Sequence, residues 1–336
     1  MSGFKKLIRE FFIVVFISWI VEFAYMGIRG VIEGTLLSVL EISLSFDNAV
    51  MNAVVLSTMT PKWRKRFLTW GMLIAVFGMR FLFPILIVSI ISGFSLGETL
   101  KLAVEHSDVY GKSLEHAEPL ILSFGGSFLL MVFISWLFDT AKELYWIRFF
   151  EEKAVKVAKL GEFKIIVALF MIFIVGLFKK SDSIILAMIL GVLLFEAVNF
   201  IKNAVEFFED RDIFSGDIGW ASFLYLELLD ASCSLDGTVG AFAITQNLII
   251  ITVGLSVGAF ILRSLTVYFV DSGKLKTLPY LEHGAHWGIG GLGVLMLLKL
   301  FISIPEVVIS SLAFVFIMAS FYSSLKKGEE ILENLD

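Results

Sequence analysis

Two segments of this chain place carboxylates inside otherwise apolar runs. The first is Glu41-Ile42-Ser43-Leu44-Ser45-Phe46-Asp47-Asn48; the second is Asp230-Ala231-Ser232-Cys233-Ser234-Leu235-Asp236-Gly237. In both, an acid is followed six positions later by Asp, with Ser-x-Ser between. Charge in hydrocarbon is costly, so intramembrane carboxylates mark functional sites by default. Glu41, Asp47, Asp230 and Asp236, with the Ser45 and Ser234 hydroxyls and the side-chain carbonyls of Asn48 and Asn52, form an oxygen-rich donor set. Such donors suit hard divalent cations, namely Mn²⁺, Mg²⁺ or Ca²⁺. A single Cys233 excludes a multi-cysteine metal site and a disulfide framework. A purely structural alternative is that the acids pair with Arg80 and Arg263, the two arginines inside apolar runs.

Helical spacing puts Glu41, Ser45, Asn48 and Asn52 on one face, while Asp47 points about a third of a turn away. In the second segment Asp230 and Ser234 share a face, Glu227 lies near them, and Asp236 points elsewhere. Two arrangements remain open. The helices unwind near Ser-x-Asp so that backbone carbonyls join the carboxylates, or Asp47 and Asp236 face the opposite half of the molecule. Asn48 and Gly237 tolerate irregular backbone, which favours the first and predicts a local break over Ser45–Asn48. Glu22, near the end of an apolar run, is expected to snorkel to the membrane surface. Glu196 precedes Asn199 and Asn203 at helical spacing, as packing glue or as a pathway lining.

The elements that carry these residues are membrane helices. The chain has 336 residues, 58% hydrophobic and only 18% charged, with 34 Phe, a polytopic composition. Apolar runs fall at 11–27, 33–57, 68–92, 119–138, 163–178, 183–202, 219–245, 248–271, 286–303 and 305–323, close to the ~20 residues of a spanning helix. The expected fold is all-α, a ten-span transmembrane bundle. No small-residue cleavage site follows the first run, so it reads as a retained helix rather than a signal peptide. Most of the 27 Lys and Arg lie at the N-terminus and in alternate loops, such as Lys62-x-Arg64-Lys65-Arg66, which places both termini in the cytoplasm. Residues 93–118, acidic, and 139–164, rich in both charges, read as solvated connectors, the second a cytoplasmic helix with Glu151 and Glu152 near Lys153, Lys156 and Lys159. No nucleotide-binding loop, zinc-protease helix or basic nucleic-acid patch occurs, so neither an ATP-driven pump nor a nucleic-acid partner is expected.

The acidic segments belong to a longer repeat. Gly71 and Arg80 follow the first at a spacing of nine; Gly254 and Arg263 follow the second at the same spacing. Leu114-Glu115-His116-Ala117 and Leu281-Glu282-His283-Gly284 come next, each before a glycine-rich run: Gly125-Gly126, then Gly288, Gly290, Gly291 and Gly293. The matched Glu-His pairs with His116 and His283 read first as ordinary satisfied polar residues, with a gate or proton-linked switch as the alternative. The acidic segments lie five spans apart, so the halves 1–160, which includes most of connector 139–164, and 161–336 are expected to form two inverted five-helix repeats with a shared midplane site.

These motifs in this order resemble the TerC family of integral membrane proteins, and more closely its DUF475 branch. The resemblance runs from about Leu36 to Lys299, with Gly237 standing where the first copy has Asn48. It implies kinship with LysE-type exporters and links to tellurium resistance, manganese efflux and metal supply to exported enzymes. The expected function is therefore secondary transport of a divalent metal, manganese first, outward across the cytoplasmic membrane, with protons as the coupling ion and no permanently bound cofactor. Glu41, Asp47, Asn48, Asp230 and Asp236 would hold the ion. Two other classes are a non-transporting membrane scaffold and an intramembrane enzyme with an Asp47–Asp236 dyad. The latter lacks the Gly-x-Gly-Asp context of that enzyme class.

Overall fold

The structure, a computed structural model, describes residues 2–159, 163–209, 219–241, 244–245, 247–271 and 278–333. Within its helices, the side chains at 2–7, 43–44, 46–48, 51, 79, 91, 107, 202–209, 232–240, 306–307, 309–310 and 328–333 lie outside the description. The described residues are helical almost throughout and contain no strand. Among the described residues, five helical stretches are long and apolar enough to cross a membrane: Ile8–Ile42, Pro61–Ile90, Asp108–Leu137, Asp182–Ile201 and Leu248–Asp271; the bent pair Arg148–Ala158 and Phe163–Lys179 makes a sixth if it is one span. Large apolar side chains on their outer faces, such as Phe12, Phe16, Phe23, Trp70 and Phe77, are exposed, as lipid contact requires.

Helix α1 covers Ser2–Leu44, but Gly27 inside it has φ 64° and ψ −151°. Trp19 Nε1 donates to Thr35 Oγ1 at 3.0 Å. Sixteen residues of straight helix would separate those groups by ~24 Å, so α1 is a hairpin whose limbs, 2–26 and 28–44, run antiparallel. The positive φ is open to glycine at little cost. This matches the sequence division between runs 11–27 and 33–57. Helix α2, Phe46–Thr58, follows the second limb after a single irregular residue, Ser45, at φ −106° and ψ 17°.

Beyond α2, Thr60 and Pro61 start α3, Pro61–Arg66, where proline's fixed φ suits a first turn. Arg64 folds back to donate to the carbonyls of Leu56, Ser57 and Met59, filling acceptors left open at the α2 C-terminus. π-Helical turns at Phe67–Gly71 and Ile74–Leu82 lead into α4, Phe83–Ser92, which ends at Gly93 with φ 69°. Residues 93–118 are not an extended connector. Ser95 and Glu98 form a capping box on α5, Leu96–Glu105, and α6, Ser107–Leu137, continues from it. The remaining helices are α7 (Arg148–Ala158), α8 (Phe163–Lys179), α9 (Asp182–Glu209), α10 (Gly219–Ala241), α11 (Leu248–Asp271), α12 (Leu281–Lys299) and α13 (Glu306–Glu333).

Two compact units result, one of Met1–Glu118 with Leu226–Asp271, the other of Pro119–Tyr225 with Ser272–Asp336. Each unit takes material from both sequence halves. In the first, the α1 hairpin packs along α11 through close glycine contacts. A Cβ on Gly254 would lie 2.8 Å from the Gly34 carbonyl oxygen, and one on Gly258 would lie 2.6 Å from Glu41 Cβ. Thr266 Oγ1 donates to the Ala49 carbonyl at 3.0 Å, tying α11 to α2. In the second unit the two glycine-rich runs cross each other. A Cβ on Gly293 would sit 3.1 Å from the Gly126 carbonyl oxygen, and one on Gly126 would sit 3.1 Å from Leu297. Small residues let helix backbones approach in this way within a bilayer.

Candidate cation site

Glu41 lies near the end of the second limb of α1, laid over Gly258, and is 2% exposed. Its Oε1 accepts from Ser45 Oγ at 3.1 Å and from the Arg80 guanidinium. Arg80 sits in the second π-helical turn, 1% exposed, and also donates to the Ala75 carbonyl at 2.9 Å. Turns of this kind recur at functional sites. The second half supplies the counterpart. Arg263 of α11 donates to Glu227 through both terminal nitrogens, at 3.0 and 3.1 Å, and to Asp230 Oδ2 at 2.7 Å. Its guanidinium lies over the Phe67 ring, 4.3 Å from the centroid, and donates to the Phe67 carbonyl. Gly71 makes room for it, because a Cβ there would overlap the Arg263–Glu227 pair.

One small cavity joins these groups. It is lined by Glu41, Ser45, Ala49, Asn52, Arg80, Asp230, Ala259, Leu262, Arg263 and Thr266, and its free space is about 10 Å³. That is close to the space one water needs. Among the described residues, Asn52 Oδ1 is buried there without a hydrogen-bond partner, and so are the Nε atoms of Arg80 and Arg263. The face predicted to carry Glu41, Ser45 and Asn52 is the face that lines the cavity.

Other expected residues fare differently. The side chains of Asp47, Asn48, Ser234 and Asp236 lie outside the described residues. The predicted break is a distortion at Ser45 alone. The Ser45 amide still donates to the Glu41 carbonyl at 2.9 Å, and the Ser45 carbonyl accepts from Ala49 at 3.1 Å. That carbonyl is therefore occupied rather than freed as a ligand. In the second copy α10 continues unbroken across 230–237, against the expectation of unwinding, and its segment keeps the helical ladder. Arg263 anchors two acids, Glu227 and Asp230. Among the described residues no group of three or more Asp, Glu, His or Cys is placed to hold a metal ion.

Glu22 does not snorkel. It is 1% exposed, and neither carboxylate oxygen has a hydrogen-bond partner among the described residues. The hairpin encloses it, because the second limb returns past the first at that level. Glu196 of α9 is half-buried and faces Lys164 of α8 at 3.9 Å; the Asn203 side chain is outside the description. The matched histidines part company, since His116 is exposed and His283 is buried.

His283 is partnered by a residue that no motif singles out. Glu151 of α7, expected on a solvated face beside lysines, is 0% exposed. Its carboxylate takes hydrogen bonds from Trp287 Nε1 at 2.9 Å and from the amides of Trp146 and Ile147 at 3.1 and 3.3 Å; His283 Nδ1 lies 3.0 Å away. Burial pushes this carboxyl up, but bonds from His283 and Trp287 outweigh it and hold it down at about 2. Above Trp136, which stacks on His286, the Lys142 ammonium sits 3.2 Å from the ring centroid. Burial lowers that lysine to about 8 against the pull of Glu151, Asp139 and Glu282.

Apolar helices long enough to span a bilayer, with carboxylates and arginines buried among them, define an all-helical membrane protein. Residues 46–330 match the model of the family described as Protein of unknown function (DUF475), and the chain belongs to that family. No curated protein and no solved structure matches it.

Proposed function

We propose that the chain is a secondary transporter that exports a divalent metal cation, manganese first, across the cytoplasmic membrane. In this reading ten spans form two inverted repeats, both termini are cytoplasmic, and the family stands beside the TerC proteins and LysE-type exporters. The observation that carries the proposal is the cavity between Glu41 and Asp230, where Asn52 Oδ1 has no other partner. Charge balance agrees, since among the described residues Glu41 pairs with Arg80, and Glu227 and Asp230 with Arg263. Three carboxylates against two guanidinium groups favour a cation, and oxygen donors favour a hard one.

Arg80 is hydrogen-bonded to Glu41, and Arg263 to Glu227 and Asp230. An entering divalent ion competes with the guanidinium for the same oxygens and carries twice its charge. The space of about one water demands a largely dehydrated ion, so Glu41, Asp230 and Asn52 replace its hydration shell. Asp47, Asn48 and Asp236 complete the proposed set, with Ser45 and Ser234 assisting. Rocking of the repeats then exposes the site alternately to the two sides.

The test is Mn²⁺ flux in proteoliposomes. Glu41→Gln and Asp230→Asn are each expected to lower it at least ~10-fold, the scale of one lost charged contact of about 1.4 kcal/mol or more. Normal flux in both variants removes this site from the mechanism. The scaffold reading draws on the same arginine pairs, read as permanent structural bonds, and it predicts no flux in the unmodified protein.

A further inference from the structure

The α1 hairpin holds a carboxyl group that the cation site does not use. Glu22 is 1% exposed, and among the described residues neither of its oxygens has a hydrogen-bond partner. A Cβ on Gly34 would overlap that carboxyl, so the group lies against bare backbone, in a cradle that any larger residue at position 34 would fill. Gly30 brings the limbs equally close, since a Cβ there would lie 2.6 Å from the Glu22 carbonyl oxygen. An ionised carboxylate cannot rest in such a place, because removing it from water without a donor or counter-ion costs far more than protonating it.

The charged neighbours do not alter that conclusion. On the second limb Arg29 is engaged with Glu33 at 2.7 Å. On α11, the helix packed against the hairpin, the charged residues are Arg263 and Asp271. The first is bound to Glu227 and Asp230, and the second faces Arg64 at 3.5 Å. A metal ion fits the place poorly, as no set of three acidic, histidine or cysteine side chains surrounds it among the described residues.

We propose that Glu22 is a proton-binding site, occupied at rest, and that it couples proton movement to the cation cavity. The second part rests on the transporter reading. The physical link is short. The Glu22 carboxyl packs on Gly34, and Gly34 packs on Gly254. Ser38 Oγ, one turn on, donates to the carbonyls of both glycines at 2.9 and 2.8 Å. Glu41 follows within the next turn, over Gly258. Losing the proton leaves a bare charge at the Gly34–Gly254 crossing. The crossing must open to water to solvate it, and that movement reaches the backbone that carries Glu41.

Dicyclohexylcarbodiimide, an apolar reagent that reacts with protonated carboxyl groups, tests the first part on the unmodified protein in liposomes. Mass spectrometry is expected to find the adduct on Glu22, falling about tenfold per pH unit above the group's midpoint, and to find none in Glu22→Gln. Absence of the adduct at every pH, or an adduct on Glu22 that does not change with pH, overturns the proton site. For the coupling, an imposed pH gradient is expected to accelerate Mn²⁺ flux in the unmodified protein and not in Glu22→Gln. Equal acceleration in both overturns the coupling. If the unmodified protein moves no Mn²⁺ at all, the transporter reading fails and the coupling with it, while the labelling result still decides the proton site.

Discussion

Two regions of this molecule bury carboxylates by opposite means. In the first unit Glu41, Glu227 and Asp230 are matched by guanidinium groups. In the second, Glu151 is matched by an indole, two backbone amides and the His283 imidazole. Ion pairing leaves full charges in a low-dielectric interior, where an added ion can compete for them. Hydrogen bonds from an indole, two backbone amides and an imidazole spread the charge of one carboxylate over several fixed partners. The first arrangement suits a site that must exchange partners; the second suits a fastening that holds α7 to α12.

The comparison breaks hardest at Arg263. Arg263→Ala leaves Glu227 and Asp230 buried without their cation, and stripping one partner from a buried pair costs about 3–5 kcal/mol. Thermal unfolding in detergent should show that loss. Adding Glu227→Gln and Asp230→Asn in the same chain should return much of it, since the uncompensated charge is then gone. A loss that persists undiminished in the triple variant would mean that packing, not charge, dominates at Arg263.

A smaller effect is expected in the second unit. Trp287→Phe keeps the ring stack and removes one donor to an ionised group, for about 1.5–3 kcal/mol. Trp287 stacks on Phe316 with centroids 6.0 Å apart, so the ring itself should stay in place. The same measurement on this variant therefore isolates the hydrogen bond.

The gentlest probe is pH. Glu151 falls from its ordinary 4.5 to about 2 in the folded protein. A depressed carboxyl pKa stabilises the fold fully above the unfolded value, and that stabilisation is lost as pH falls from 4.5 through about 2. Hydrogen exchange at the amides of Trp146 and Ile147 should quicken across that window. In Glu151→Gln the window should vanish. Persistence of the same pH response in that variant would assign it to another group.

The sequence offered the acid–arginine pairs only as the structural alternative to a cation site, but it marked their residues through periodic signals. Glu41, Ser45 and Asn52 recur at helical spacing, and Gly71–Arg80 repeats as Gly254–Arg263, so both halves could be seen to contribute alike. It conveyed the depth of single residues poorly. Glu22 and Glu151 were both assigned to water, and both are buried. Burial of Glu22 depends on the chain turning at Gly27, which only a three-dimensional arrangement reveals. The Gly30-x₃-Gly34 and Gly254-x₃-Gly258 patterns were readable signs of close helix approach, and they mark where the hairpin is tight. Glu151 had no such sign, because a charge in a charged connector looks solvated until its tryptophan arrives from Trp287, far along the chain. The single distorted residue at Ser45, against an unbroken α10, shows that similar motifs need not bend alike.

The reversal at Gly27 also bears on how the protein enters a membrane. The stretch Ile8–Ile42 is continuous in apolar character, and at ~1.5 Å per residue a straight helix of that length would overrun a ~30 Å hydrocarbon layer. Because the chain turns back, it leaves the hairpin at the end by which it entered. Gly27 is thus a topological decision as well as a bend. A residue that straightened it would send the N-terminus to the other face, and the parity of every later crossing relative to that end would change with it.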